Sequence, residues 1–159
     1  MLGVEGDTRH AYDSYDRDRK IEMERQMDLD IPRCHQYHPL LASSEGHAKL
    51  GRVLKTWALA EEGEYVYWQG LESICAPFVA LNFNDESLAF CSMLKFIRKF
   101  CAGFFVKDNS FLMREYVGSF RTLLSFHDPE LASHLFKLGL GPELYALPWF
   151  MTFYARICY

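Results

Sequence analysis

From residue 44 onward the apolar positions recur with the spacing of one helix face. Leu50, Val53, Leu54, Trp57 and Ala58 fall at i, i+3, i+4, i+7 and i+8, and Gly63 closes the segment. Leu71, Ile74, Cys75, Phe78 and Val79 repeat the pattern, and Pro77 inside it predicts a kink. A third helix is expected after Asn84 or Asp85, carrying Phe90, Met93, Leu94, Ile97 and Cys101. A fourth follows Asn109 or Ser110, with Met113, Tyr116, Val117, Phe120 and Leu124 on one side. Asp128 before Pro129 is a cap and first-turn signature for a short helix that ends at Gly139. The last helix starts near Pro148 and is apolar on nearly every side. No stretch alternates with period two for long enough to demand a strand, and no repeat is visible. The expectation is an all-α domain over residues 1–159, orthogonal or bundle-like. Within it, residues 1–30 read as a polar arm with one helix around Arg17 to Leu29, and residues 31–159 as the helical core.

Composition narrows the function. Half of the 159 residues are hydrophobic and 16% aromatic, enough for a real core and against disorder. The net charge is -4 and the pI near 5.8, so a broad electrostatic grip on nucleic acid or an anionic membrane is not expected. Residues 1–30 hold nine acids against five bases, which accounts for the whole imbalance. Five cysteines, Cys34, Cys75, Cys91, Cys101 and Cys158, lack paired spacing and read as reduced, buried thiols of a cytosolic protein. The first ten residues are charged, unlike a secretory signal, and the apolar run ICAPFVALNF is too short to span a bilayer.

Two stretches carry candidate chemistry. In DLDIPRCHQYHPLL, Asp28 to Leu41, the residues before the two prolines, Ile31 and His38, are pushed toward extended backbone, which places Arg33 on a loop. In EYVYWQGLESI, Glu64 to Ile74, Gln69 precedes a helix start, where unpaired N–H groups favour anions and a side-chain amide can orient a water. By itself, a glutamine there is more often a solvated or capping residue. Other constellations have plainer readings. Cys34, His35, His38 and His47 do not converge readily on one tetrahedral metal, so no metal site is expected. Asp128 in His127-Asp128 is better explained as a helix cap than as half of a catalytic dyad. Lys95, Arg98, Lys99 and Lys107, with Phe96 and Phe100, read as a solvated face beside a buried one.

Together the two stretches are more specific. Met27-Asp28-Leu29-Asp30-Ile31-Pro32-Arg33 resembles the I-x-x-D-x-x-R motif of the TBC domain, found in GTPase-activating proteins for Rab GTPases, with Met27 replacing the isoleucine. Tyr67-Trp68-Gln69-Gly70 matches the family's Y-x-Q-G motif. The segments DIPRCHQY, SSEGHAKL, YWQGLESICAPF, LNFN, FFVKDNS, FHDPELASHL and LYALPWF resemble most closely the TBC-domain protein kinase-like group, from about Leu2 to Phe153. The resemblance implies that Arg33 is an arginine finger, compensating charge that develops on the transferred phosphoryl group of a partner GTPase. Gln69 would be a glutamine finger that holds the attacking water. It further implies that Asp30 positions the Arg33 loop through a carboxylate hydrogen bond to backbone or guanidinium, that Pro32 stiffens it, and that Tyr67 and Gly70 position Gln69.

The partner implied is a Rab-family small GTPase. No cofactor is expected in the chain itself, because Mg²⁺ and GTP would be carried by that partner. The alternative function is a non-catalytic Rab-binding or scaffolding module in a trafficking complex. The expected location is cytoplasmic, with recruitment to vesicle membranes through the Rab and no direct membrane insertion. The family's R-x-x-x-W motif precedes the segment matching Leu2 to Gly6, and its domain continues beyond the last residues here. On that resemblance the apolar stretch Leu144–Tyr159 is expected to lack its usual cover and to support self-association.

Overall fold

The computed structural model describes residues 8–156; the resemblance at Leu2 to Gly6, together with Cys158, lies outside them. Its order is α1 (Thr8–Asp13), α2 (Glu24–Asp30), a 3-10 turn (Ile31–Arg33), α3 (Ser44–Ala60), α4 (Leu71–Leu81) and α5 (Glu86–Phe96). It continues through a π-helical turn (Ile97–Cys101) to α6 (Ser110–His127), α7 (Pro129–Lys137) and α8 (Leu147–Met151). Among the described residues there are no strands, only two isolated bridges, one of them joining Tyr65 to Val106. The all-α expectation holds. The chain divides into two units, residues 1–107 and 108–159, each with its own packing.

In the first unit α3, α4 and α5 pack on one another, with α1 against α5. Helix α3 begins where Ser43 accepts the Gly46 N–H at 2.9 Å, the N-cap bond that satisfies one of the open amides. Leu50, Val53, Leu54 and Trp57 are all fully buried, each stabilising the fold by about 1.5–3 kcal/mol on ordinary transfer values. Gly46 faces the preceding loop so closely that a side chain there would overlap the Leu40 carbonyl. Helix α4 runs through Pro77 without ending, and Pro77 has no N–H for the Ser73 carbonyl four residues earlier. Asp85 caps α5 by accepting the Leu88 N–H at 3.0 Å.

The acidic arm differs from expectation. Instead of one helix near Arg17 to Leu29, its described residues form two short ones, and they reach the core: Tyr12 and Met27 are buried. The reason is visible at Glu86, whose carboxylate accepts from the Tyr12 hydroxyl at 2.9 Å and from Arg52 Nε and Nη2 at 2.9 and 2.6 Å, with Lys49 at 3.4 Å. Tyr12 also lies against Phe90, with ring centroids 5.6 Å apart. Charge counting cannot see such a tether. Cys34, Cys75 and Cys101 are buried thiols, as expected, and burial pushes the Cys101 thiol up to about 12; Cys91 is only partly covered.

In the second unit α7 and α8 pack against α6. Asp128 caps α7 through the Leu131 N–H at 3.0 Å, and Gly139, at φ +70°, ends that segment with its N–H on the Phe136 carbonyl. Helix α8 is shorter than its apolar sequence suggests. It spans five residues, and Phe153 and Tyr154 then take positive φ, 49° and 61°, which ends any helix.

Burial works against charge on Glu86, but Arg52, Tyr12 and Lys49 outweigh it and hold the carboxyl below its ordinary range. A depressed folded value stabilises the protein above the unfolded value near 4.5, and that contribution is lost as pH falls through the folded value. At pH 7, Glu86→Gln should therefore cost about 1–2 kcal/mol by denaturant titration. The difference from wild type should shrink as pH falls below the unfolded value near 4.5 and through the depressed folded one; a difference independent of pH would show that the ion pairs contribute nothing.

Candidate functional site

Helix α2 passes directly into the 3-10 turn that ends at Arg33, so Ile31 is helical (φ -53°, ψ -49°) rather than extended. The pre-proline preference is overridden by burial: Ile31 is in the core and its Cδ1 rests against α3 at Gly51. The chain breaks away only at Cys34, with φ -79° and ψ 120°. Arg33 stands at this corner, exposed, and among the described residues its guanidinium makes no hydrogen bond or ion pair. A charged fork in that position is free to engage another molecule.

Asp30 does not act as expected. Its carboxylate is buried and bonds neither Arg33 nor the following backbone; Oδ2 accepts from Gln26 Nε2 and from the Tyr67 hydroxyl, both at 3.0 Å. With its side chain turned inward on α2, it secures the root of the turn rather than its tip.

The Tyr67 hydroxyl also lies 3.1 Å from Glu72 Oε2. Glu72, fully buried at the start of α4, accepts the Gly70 N–H at 2.7 Å through the same oxygen and the Ser73 hydroxyl at 3.0 Å through Oε1. Burial, and then the two carboxylates, push the Tyr67 hydroxyl far above its usual range, so it stays a proton donor. Gly70 caps α4 at φ +114°, a conformation that side chains rarely adopt. Gln69 is exposed just before this cap and, among the described residues, makes no hydrogen bond. No side chain caps α4 at Gly70, so the capping reading of Gln69 fails: the Gly70 amide belongs to Glu72. Trp68 is held by an Nε1–H bond to the Val106 carbonyl at 3.0 Å.

The two stretches therefore meet. Asp30 touches Tyr67, Cys34 Sγ lies 3.5 Å from the Glu72 carbonyl, and His35 Nε2 lies 3.4 Å from the Ser73 carbonyl. Arg33 is flanked in sequence by residues bonded to the segment that carries Gln69. The residue that sequence reasoning missed is Glu72, which joins Tyr67, Gly70 and Ser73. Its signal was a lone carboxylate among apolar α4 positions.

Elsewhere the chemistry is sparse. Among the described residues no group of three His, Cys, Asp or Glu side chains is placed to hold a metal, and no helix is long and apolar enough to cross a membrane. Asp128 is a cap, and of the basic cluster Arg98 is bound to buried Glu61 at 2.6 Å. The second unit has an apolar groove of about 600 Å³ between α6, α7 and the segment that follows, lined by Leu124, Phe136, Leu140 and Tyr145 among others.

An all-helical domain with an exposed arginine and an exposed glutamine rooted in one buried network is the class of protein defined so far. Residues 5–158 match the Rab-GTPase-TBC domain model, and the chain belongs to that family. It is 52% identical over 157 residues to the TBC domain-containing protein kinase-like protein of Homo sapiens, covering 99% of this chain and 18% of that protein. The Dictyostelium discoideum protein of the same name is 42% identical over 158 residues, 99% of this chain and 15% of that one. The chain thus spans under a fifth of these relatives. The crystal structure of the Ypt/Rab-GAP domain of Gyp1p has a TM-score of 0.70 at 20% identity, over 92% of this chain and 52% of that one, which establishes the shared fold.

Tyr67→Phe removes the one donor shared by the Asp30 and Glu72 carboxylates while keeping the ring. The expected loss is about 1–3 kcal/mol in chemical denaturation, the cost of taking a hydroxyl donor away from two buried carboxylates. An unchanged denaturation midpoint would mean that the network does not hold the site.

Proposed function

We propose that the chain acts as a GTPase-activating module for a Rab-type small GTPase, supplying Arg33 and Gln69 in trans. The observation that carries this reading is the state of Arg33: exposed, without an ion pair among the described residues, and rooted beside the segment that bears Gln69. A guanidinium already spent on an internal carboxylate would have to exchange one partner for another. Membership of the Rab-GTPase-TBC family supports the choice of partner class.

In this reading the GTPase brings GTP and Mg²⁺, and the chain binds no cofactor of its own. Arg33 reaches the transferred phosphoryl group, where its planar fork meets charge that is greatest in the transition state. Gln69 holds the attacking water, and the Gly70 turn fixes where its backbone sits. Asp30 and Tyr67 never touch the nucleotide; they hold the two segments in register. The protein would work in the cytoplasm and reach vesicle membranes through its GTPase.

Arg33→Ala should lower stimulated hydrolysis by about 10³ or more with helical content intact, and Arg33→Lys should restore little because a lysine lacks the fork. The decisive measurement crosses wild type and Gln69→Ala against a GTPase with and without its own switch glutamine, reading single-turnover phosphate release. Stimulation of the glutamine-less GTPase by wild type, lost in Gln69→Ala, is the expected result. Stimulation that disappears with the GTPase glutamine would remove Gln69 from the mechanism. Binding without stimulation in all four combinations would leave a scaffolding module instead.

Self-association through the stretch from Leu144 is proposed alongside. Leu144, Phe153 and Tyr154 are exposed, while Ile157 to Tyr159 lie outside the described residues. Leu144→Asp should lower the weight-average mass in concentrated solution; a wild type that sediments as a monomer refutes it.

A further inference from the structure

Three observations converge on His35. Pro77 leaves the Ser73 carbonyl without the amide that a regular helix supplies at that position. His35 Nε2 sits 3.4 Å from that oxygen, and since a carbonyl only accepts, Nε2 carries the proton in this contact. His35 is buried and holds φ +47°, an uncommon conformation for a side-chain-bearing residue, with a local cost of about 1–3 kcal/mol. Its carbonyl accepts the His38 N–H at 2.9 Å, closing the turn that follows Arg33.

We propose that His35 is a positioning residue for Arg33: by donating its Nε2–H to the carbonyl that Pro77 leaves open, it clamps the arginine-bearing loop onto the helix that begins just after Gln69. Cys34 adds a weaker S–H contact to the adjacent Glu72 carbonyl. The clamp ties the two exposed side chains together by a route separate from the Tyr67 network. Its catalytic consequence rests on the function proposed above; its mechanical consequence does not.

Limited trypsin digestion of the full chain, with the Arg33–Cys34 bond followed by mass spectrometry, reads the clamp directly. The Cys34 amide is bonded to the Ile31 carbonyl at 3.0 Å, so cleavage requires local opening. His35→Leu should accelerate this cut about fivefold, the effect of losing one hydrogen bond, with the global unfolding midpoint little changed. His35→Gln, whose amide nitrogen can take the place of Nε2, should restore most of the protection. Pro77→Ala should mimic His35→Leu, because the new N–H competes for Ser73 while alanine favours the helix. Should His35→Leu fail to fold, the comparison of wild type, His35→Gln and Pro77→Ala decides. Equal cleavage of wild type and Pro77→Ala, or His35→Gln cut as fast as Pro77→Ala, overturns the clamp. On a GTPase that wild type stimulates, the folded loop-loosened variant should lose roughly ten- to a hundredfold in kcat with KM within about twofold. An unchanged kcat overturns the positioning role. If wild type stimulates no GTPase but the cleavage contrast persists, the proposed function falls and the clamp stands.

Discussion

The Tyr67 hydroxyl, placed between the Asp30 and Glu72 carboxylates, is the contact on which the site depends. Asp30 ends α2, whereas Tyr67 and Glu72 flank the start of α4 only five residues apart, so one side chain ties the end of α2 to a segment 37 residues further along the chain. A hydroxyl has a single proton and the two oxygens compete for it; Gln26 and the Gly70 amide supply further donors to those same oxygens. In a low-dielectric interior such bonds are strong when made and costly when broken, and this favours one arrangement over near alternatives.

Outside that interior the same segments carry Arg33 and Gln69, whose side chains make no hydrogen bond or ion pair among the described residues. The contrast divides the labour: buried groups define position, and exposed groups keep their hydrogen-bonding capacity for another molecule. An arginine without an internal partner forfeits only rotamer freedom and hydration when it is engaged, about 2 kcal/mol of the former at most. Neither Arg33 nor Gln69 reveals this from its own identity. It follows from what Asp30 and Glu72 bond instead.

The helices were largely legible in the sequence because burial and period coincide. Leu50, Val53, Leu54 and Trp57 face inward on α3, and Asp85 and Asp128 cap where their positions before apolar runs imply. Legibility failed where tertiary contact reversed a local preference. Ile31 is helical before a proline because the core receives its side chain, and the acidic arm is anchored because Tyr12 finds Glu86. The exposed residues of the candidate site, Arg33 and Gln69, come from motif resemblance, and its buried supports are obscure in the sequence. Asp30 bonds Gln26 and Tyr67 rather than the Arg33 loop, and a partner 37 residues away, as Tyr67 is, leaves no periodic trace; Glu72 was overlooked because local spacing does not show that a lone carboxylate turns inward to Tyr67, Gly70 and Ser73.

Gly46 adds a constraint of another kind. It has no side chain to offer and belongs to neither motif, yet the loop descending from His35 passes where its side chain would be. A methyl group there would lift the Leu40–Leu41 backbone off α3, and the disturbance would run back along a loop whose other end is Arg33. In a population of variants, this glycine should thus tolerate as little change as the residues proposed for the chemistry, for a reason that is purely one of room.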